Sequence, residues 1–218
     1  MGLESMELTR AMEESDDVRT DVPEASEAQL VARLRAGEPA AFEIFVRQYQ
    51  DRVWGFCVRM LADEEEALDV VQEIFVSIHR AFDAFRADAK LSTWVYRVAK
   101  NHCLNRIKYL KRRGKGRTRE VGDVSEGELA AASGDVARPD ESLERDAAKD
   151  LVHRALAELD DEQRAVVVLR DIEGLSYDEI AAVTELAEGT VKSRLHRARE
   201  RLGEILTRLE SDDTIKGD

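Results

Sequence analysis

Near the C-terminus, Val191, Leu195, Ala198 and Leu202 step by four, three and four residues, so on a helix they share one face and form its buried side. Gly189, Ser193, His196, Arg197 and Glu200 then point away, flanked by Lys192 and Arg194. Hydroxyl, imidazole and guanidinium groups in that order suit recognition. On the first turns of a helix they donate to base edges in a major groove, while neighbouring arginines grip phosphates. A second cationic set lies upstream, where residues 94–119 hold ten basic side chains, including Arg97, Lys100 and Lys108, and no acidic one. Neither set has the makings of catalysis. No nucleophile is paired with a base, no glycine loop is built to cradle phosphate, and His79, His102, His153 and His196 fall on different segments. Cys57 and Cys103 are too few for a disulfide framework, and His102-Cys103 lacks the spaced partners of a zinc site. The expectation is therefore a chain with no catalytic residue, metal or cofactor, whose two cysteines are ordinary helix residues.

A net charge of -13 argues at first against nucleic acid, because phosphate binding is driven by lysine and arginine displacing counterions. The distribution reverses that inference. Acid collects in residues 1–28, in 120–150 and after Gly203, the stretches with least apolar periodicity, and leaves the two cationic segments almost clear. Two basic surfaces joined by acidic tethers is the pattern to be explained.

The elements that position these residues read as helices. Charged residues make up 36% of the chain, glycine and proline are scarce, and no long stretch alternates apolar with polar, so an all-α fold is expected. Eleven of the twelve aromatic residues lie between Phe42 and Tyr109, which concentrates a large-residue core in the first half. Residues 1–26 read as a disordered acidic extension, in which Met1, Met6 and Met12 are alternative starts. Residues 27–113 read as one helical domain. Within it Phe42, Phe45, Val46, Tyr49, Val53, Phe56, Cys57 and Met60 recur at helical spacing, and Ala67, Val71, Ile74, Phe75, Ile78 and Phe82 form the buried face of the next helix. The opposite face of that helix, with Asp69, Gln72, Glu73, Val76 and Arg80, is a docking surface in outline. A third helix, capped by Ser92 or a neighbour, buries Leu91, Val95, Val98, Ala99 and His102 and shows Arg97, Asn101 and Lys108. Residues 114–142 read as a flexible linker. Residues 143–208 form a second domain, in which Ser176 and Glu179 make a capping box and two short helices, ending near Thr184 and beginning by Glu188, make a helix-turn-helix. Residues 209–218 are left as an acidic tail. No apolar run approaches the roughly 18 to 20 residues that cross a bilayer, and the N-terminus is acidic where a signal peptide is basic and then apolar, so a cytoplasmic protein without membrane insertion is expected.

The run LSYDEIAAVTELAEGTVKSRLHRARERL resembles region 4.2 of extracytoplasmic-function (ECF) sigma factors of the sigma-70 family, and its GTVKSRLHRAR portion is highly specific. Upstream, DVVQEIFVSIHRAF resembles region 2.2, and LSTWVYRVAKNHCLNRIKYLKRR resembles regions 2.3 and 2.4. The resemblance spans about residues 27–208, and the order of these regions, with a linker between them and no region 3 domain, is also that of the family. It implies a region 2 domain that docks on the clamp helices of core RNA polymerase through Asp69, Gln72, Glu73 and Val76. It implies capture of the melted -10 element by the loop Arg86, Ala87, Asp88 and Lys90 and by Trp94, Arg97, Asn101 and Lys108. Trp94 and Tyr96 are chemically suited to stack on a base, with core packing the alternative and favoured role of Trp94. It also implies a region 4 domain, seated on the polymerase flap, that reads the -35 duplex with Thr190, Lys192, Ser193, Arg194, His196, Arg197 and Arg199. A monomer when free and an anti-sigma partner follow from the same resemblance. One departure stands out: the turn between the two helices usually holds glycine, and here holds Glu185.

The rival reading is a dimeric helix-turn-helix regulator that binds duplex operator DNA alone. A nuclease or phosphatase is a weaker third, for want of catalytic groups. The acidic N-terminus suggests a shield over the basic faces. Deleting residues 1–26 is then expected to raise binding of free promoter DNA at low salt, measured by fluorescence anisotropy, and unchanged binding removes the idea.

Overall fold

The computed structural model describes residues 24–82, 85, 90–114 and 139–216. Of the extension 1–26 expected to be disordered, residues 1–23 lie outside these residues, as do the loop Arg86, Ala87 and Asp88 and the linker from 115 to 138, whereas residues 24–26 are helical. Among those described there are eight helices and no strand, so the fold is all-α as expected.

The first domain is α1 (Glu24–Arg35), α2 (Pro39–Leu61), α3 (Glu64–Ala81) and α4 (Leu91–Gly114). Proline opens α2 where its missing N–H costs nothing. Ala62 closes it in the left-handed region at φ 52°, its N–H returning to the Val58 carbonyl. Asp63 then caps α3 by accepting from the Glu66 N–H at 3.0 Å, and three glutamates in the first turn complement the helix dipole. Phe45, Tyr49, Val53 and Phe56 of α2 are buried against Ala67, Val70, Ile74 and Ile78 of α3 and Val95, Ala99 and Cys103 of α4. The start of α4 differs from expectation. Ser92 lies inside the helix, and the first N–H, that of Leu91, is bonded at 2.7 Å by Glu27 Oε1 of α1, a cap supplied from 64 residues away. Val98 and His102 are only half-buried, because Tyr96 and Lys100 turn a second flank of α4 inward. The two cysteines meet: both are fully buried, with Sγ atoms 3.6 Å apart.

The second domain is α5 (Pro139–Glu158), α6 (Asp161–Val167), which runs on through a π-helical turn at Val168–Ile172, then α7 (Tyr177–Thr184) and α8 (Glu188–Lys216). Asp160 caps α6 through the N–H groups of Glu162 and Gln163. Ser176 and Glu179 make both bonds of the expected capping box, which sets the entry angle of α7. Helix α8 continues to Lys216, over residues read as a tail, since Ile205 is buried and Leu206 and Leu209 pack on the same core. The helices likewise overrun both ends of the segment 114–142, at Gly114 and Pro139.

The two domains pack together, α7 against α4, and α5 and α6 against α2. Arg164 of α6 is 7% exposed and donates to Leu156, Ala157 and Leu159 carbonyls at the end of α5 and, at 2.6 Å, to the Met60 carbonyl at the end of α2. One guanidinium thus satisfies orphan carbonyls of two helices, one in each domain. Glu173, whose side chain is 7% exposed, also crosses between the domains: it accepts a hydrogen bond from the Tyr96 hydroxyl and faces Arg52 Nε at 3.6 Å. Burial raises the Glu173 carboxyl above the ordinary range, while the Tyr96 hydroxyl, Arg52 and Arg59 pull it down by less. A carboxyl whose pKa is higher docked than undocked favours docking most below the undocked value, and this contribution is lost as pH rises through the docked value. Domain separation measured by energy transfer in the free chain is therefore expected to increase with pH more steeply in the wild type than in Glu173→Gln.

Candidate nucleic-acid interface

The reading face of α8 is built by its opposite side. Val191, Leu195, Ala198 and Leu202 are buried, as their spacing requires, and Thr190, Lys192, Ser193, His196 and Arg197 are exposed along the first three turns. The cations on this face differ in how they are held. Lys192 pairs with Glu188 one turn earlier and lies 5.2 Å over the Tyr177 ring; the pairing raises its pKa and lowers that of Glu188. Arg197 bonds the Ser193 carbonyl at 3.2 Å, which leaves the rest of the guanidinium toward solvent. His196 lies 3.5 Å from Glu200. Arg194 and Arg199, expected among the readers, are committed within the domain. Arg194 is half-buried against Glu162 of α6, and Arg199 bonds Asp171, whose side chain is 6% exposed in the π-turn. These two arginines fasten α8 to the element that positions it.

The approach of α7 to α8 depends on Glu185, which takes φ 60° and ψ 32°, the left-handed conformation that glycine adopts freely. The turn keeps its geometry and carries a strained glutamate.

On the first domain, α4 presents Asn101 and Lys108 to solvent as expected, with Arg97 half-buried beside them. Asn105 and Arg112 extend the same face at steps of four, three and four, a periodicity present in the sequence but not used above. Tyr109 is 46% exposed, with Arg113 6.0 Å over its ring. Trp94 is half-buried and packs on Phe82 and Phe85, with centroids 5.7 and 5.2 Å away. Tyr96, offered above as a stacking surface, is fully buried, its hydroxyl spent on Glu173, so it presents no ring to a base. Lys90 is exposed and lies 3.3 Å from Glu179 of the second domain. Arg86, Ala87 and Asp88 lie outside the described residues.

The third surface is the outer face of α3. Asp69, Gln72, Glu73 and Val76 are all exposed, and Leu68, 51% exposed, joins Val76 in making it apolar as well as acidic. Arg106 of α4 bonds Glu73 at 2.7 Å and Glu66, and lies 3.8 Å from Asp69, so α4 holds the acidic edge in place.

Three surfaces on two helical units match a known architecture. Residues 45–113 match the model of Sigma-70 region 2, and residues 149–202 that of Sigma-70, region 4. The RNA polymerase sigma-H factor of Pseudomonas aeruginosa is 38% identical over 180 residues, 82% of this chain and 92% of that protein. The ECF RNA polymerase sigma-E factor of Escherichia coli K12 is 34% identical over 171 residues, 78% of this chain and 89% of that protein. Among solved structures, CnrH in complex with the cytosolic domain of CnrY superposes with a TM-score of 0.61 at 25% identity, over 84% of this chain and 97% of that one. The sigma factor RpoE in complex with the anti-sigma factor NepR from Bartonella quintana shares the fold, with a TM-score of 0.61, 23% identity, and coverage of 76% and 96%. The chain belongs to the ECF class of the sigma-70 family, the DNA-binding sigma factors of RNA polymerase in transcription initiation.

The strain at Glu185 has a measurable consequence. Glu185→Gly removes a left-handed side-chain conformation at the expense of a more flexible unfolded chain, and is expected to stabilise the protein by about 0.5 to 1 kcal/mol in thermal unfolding.

Proposed function

We propose that the chain directs core RNA polymerase to its promoters by a division of labour between the two domains. Region 4 grips -35 DNA as intact duplex, with the first turns of α8 in the major groove. Thr190, Lys192, Ser193, His196 and Arg197 face the base edges and backbone. Arg194 and Arg199 hold the helix to its domain and reach phosphate only if they exchange a carboxylate for it. Region 2 holds the -10 element after the strands separate. Asn101, Arg97 and Lys108 line the open face of α4, the loop Arg86, Ala87, Asp88 and Lys90 supplies the pocket, and Trp94 forms its wall. Unstacking a base costs a few kcal/mol, which a snug pocket and phosphate contacts offset. The chain acts by binding and supplies no reacting group of its own.

The observation that carries this reading is that the exposed cationic face of α4 and the reading face of α8 belong to separate domains joined through residues 115–138. Two such faces suit two DNA conformations, one per domain. The outer face of α3, with Asp69, Gln72, Glu73 and Val76 and the added Leu68, is the surface for the clamp helices of core polymerase, and region 4 sits at the flap. An anti-sigma factor is the further partner in this reading; RpoE, which shares the fold, is solved with one. The free chain is a monomer that acts in the cytoplasm.

Run-off transcription with core polymerase and a promoter library tests the whole scheme and returns the recognition motif. Arg197→Ala is expected to weaken -35 recognition by about 1 to 3 kcal/mol, the value of a paired base contact. Asn101→Ala is expected to reduce opening at promoters altered at -10 instead. Exchange of those two phenotypes overturns the assignment, and a dimer that binds duplex alone, without core, replaces it with the regulator.

A further inference from the structure

Several cations of region 2 already have anionic partners, and those partners come from region 4. Lys90 lies 3.3 Å from Glu179 of α7, and Lys111 is bonded at 2.7 and 2.9 Å by Asp161 at the start of α6. Lys100, in the middle of the basic helix, is 9% exposed and has Glu185 and Glu162 as its favourable charges. It sits in a cleft closed by Ala165, Thr184, Leu186 and Arg194. A lysine placed this way is largely shielded from solvent and from nucleic acid. Burial lowers its pKa, and the two glutamates offset only part of that cost.

The lock on this arrangement is buried and charged. Glu173 leaves the π-turn of region 4 and enters region 2, where it meets the Tyr96 hydroxyl and Arg52, whose guanidinium also lies 5.5 Å from the Tyr96 ring. Solvent screens pairs such as Lys90–Glu179 strongly and leaves them weak, so they cannot hold two domains together. A carboxylate at 7% side-chain exposure is different, because taking away its partner leaves an uncompensated charge in a dry place. Separation of the domains instead returns Glu173 and Arg52 to water together. The closed contact is therefore sensitive to mutation of one partner, yet opens in the wild type without leaving a buried charge behind.

We propose that region 4 of the free chain closes region 2 by giving the basic helix carboxylates where promoter DNA would give phosphates, with Glu173 on Tyr96 and Arg52 as the latch. This rests on the reading of α4 as the strand-holding helix. Asp161, Glu162, Glu179 and Glu185 stand in for phosphate on Lys111, Lys100 and Lys90. Opening is then a precondition for α4 to expose Lys100 and release Lys90 and Lys111. The reading face of α8 and the face of α4 that carries Asn101 and Lys108 stay exposed in the closed form, so closure withholds Lys90, Lys100 and Lys111 from the strand and weakens its capture, and leaves duplex contact available.

The test uses the full free chain and the variants Arg52→Glu, Glu173→Arg and their charge-swapped combination. Small-angle scattering gives the radius of gyration, and an amine-reactive reagent with peptide mass spectrometry gives the labelling rate of Lys100 relative to exposed Lys108. Each single variant is expected to expand the chain and speed Lys100 labelling by at least about tenfold, the consequence of one unpaired buried charge, and the combination to restore both. Far-ultraviolet circular dichroism separates opening from unfolding, since opening keeps the helix content. A wild type whose Lys100 labels as fast as Lys108, or single variants that remain helical and compact with Lys100 protected, overturns the latch. A fluorescent single-stranded DNA pool of random sequence supplies the second arm. Tighter binding by the opened variants supports masking, and equal binding by open and closed chains overturns it. If the opened and closed chains both fail to bind any strand while the labelling result holds, the latch stands and the promoter reading of α4 falls.

Discussion

A single guanidinium, that of Arg164, ties the structure together. Its donors go to carbonyls at the ends of two helices from different domains, α5 and α2. Those carbonyls lie at helix ends, where the regular bonding runs out although Leu156 still accepts from the Leu159 N–H at 3.1 Å, and the negative end of each helix dipole favours a cation there. With both helix ends fixed, the corner between α5 and α6 has one geometry, and α6 leads into the π-turn at a set angle. The π-turn then places Asp171 under Arg199 of α8 and Glu173 beside Tyr96 of α4. Removal of this one side chain strands several buried carbonyls, each at a cost of about 1 to 3 kcal/mol. It also removes the reference point from which the reading helix is hung.

The same arrangement reconciles a net charge of -13 with two nucleic-acid faces. Acidic side chains in the described domains are largely assigned to specific cations: Glu162 to Arg194, Asp171 to Arg199, Glu73 and Glu66 to Arg106, Glu188 to Lys192. Such pairs remove arginines from the surface field and use them to orient helices. What is left outward on α4 is Asn101, Asn105, Lys108 and Arg112, a face of amides and cations without an acid. Local sign, and not the sum over the chain, governs whether phosphate is attracted across a Debye length of about 8 Å.

Much of this was legible in the sequence wherever one face of one helix decided the matter. Val191, Leu195, Ala198 and Leu202 declared their burial by spacing alone, and so declared the exposure of Ser193, His196 and Arg197. The Ser176–Glu179 capping box is local, within one turn, and was readable for that reason. Glu185 was legible as an anomaly, and the structure gives it the positive φ that a glycine would have taken without strain. What was not legible depends on residues far apart in the chain. Glu27 capping α4, Arg164 reaching Met60, and Cys57 meeting Cys103 are separations of 64, 104 and 46 residues, and no periodicity within a helix encodes them. Ser92 and its neighbours are the caps that local sequence offers, but a carboxylate from α1 takes the bond because the packing of α1 brings it there.

The misplacement of Tyr96 shows where a two-faced reading of a helix breaks down. An amphipathic pattern assigns each residue to a buried or an exposed side, and a tyrosine beside a tryptophan in a basic helix then reads as a surface for stacking bases. Helix α4 has three sides. Val95, Ala99, Cys103 and Ile107 face α2 and α3, Asn101, Asn105, Lys108 and Arg112 face solvent, and Tyr96, Lys100 and Leu104 face the second domain. The third side has the composition of neither core nor surface, because it must be dry when the domains meet and wet when they part. A tyrosine hydroxyl, a lysine and a leucine in a row meet both conditions, since each has an apolar body and the two polar tips find partners in either state. The mixed composition that obscures such a side in the sequence is thus what allows one helix to serve two arrangements of the chain.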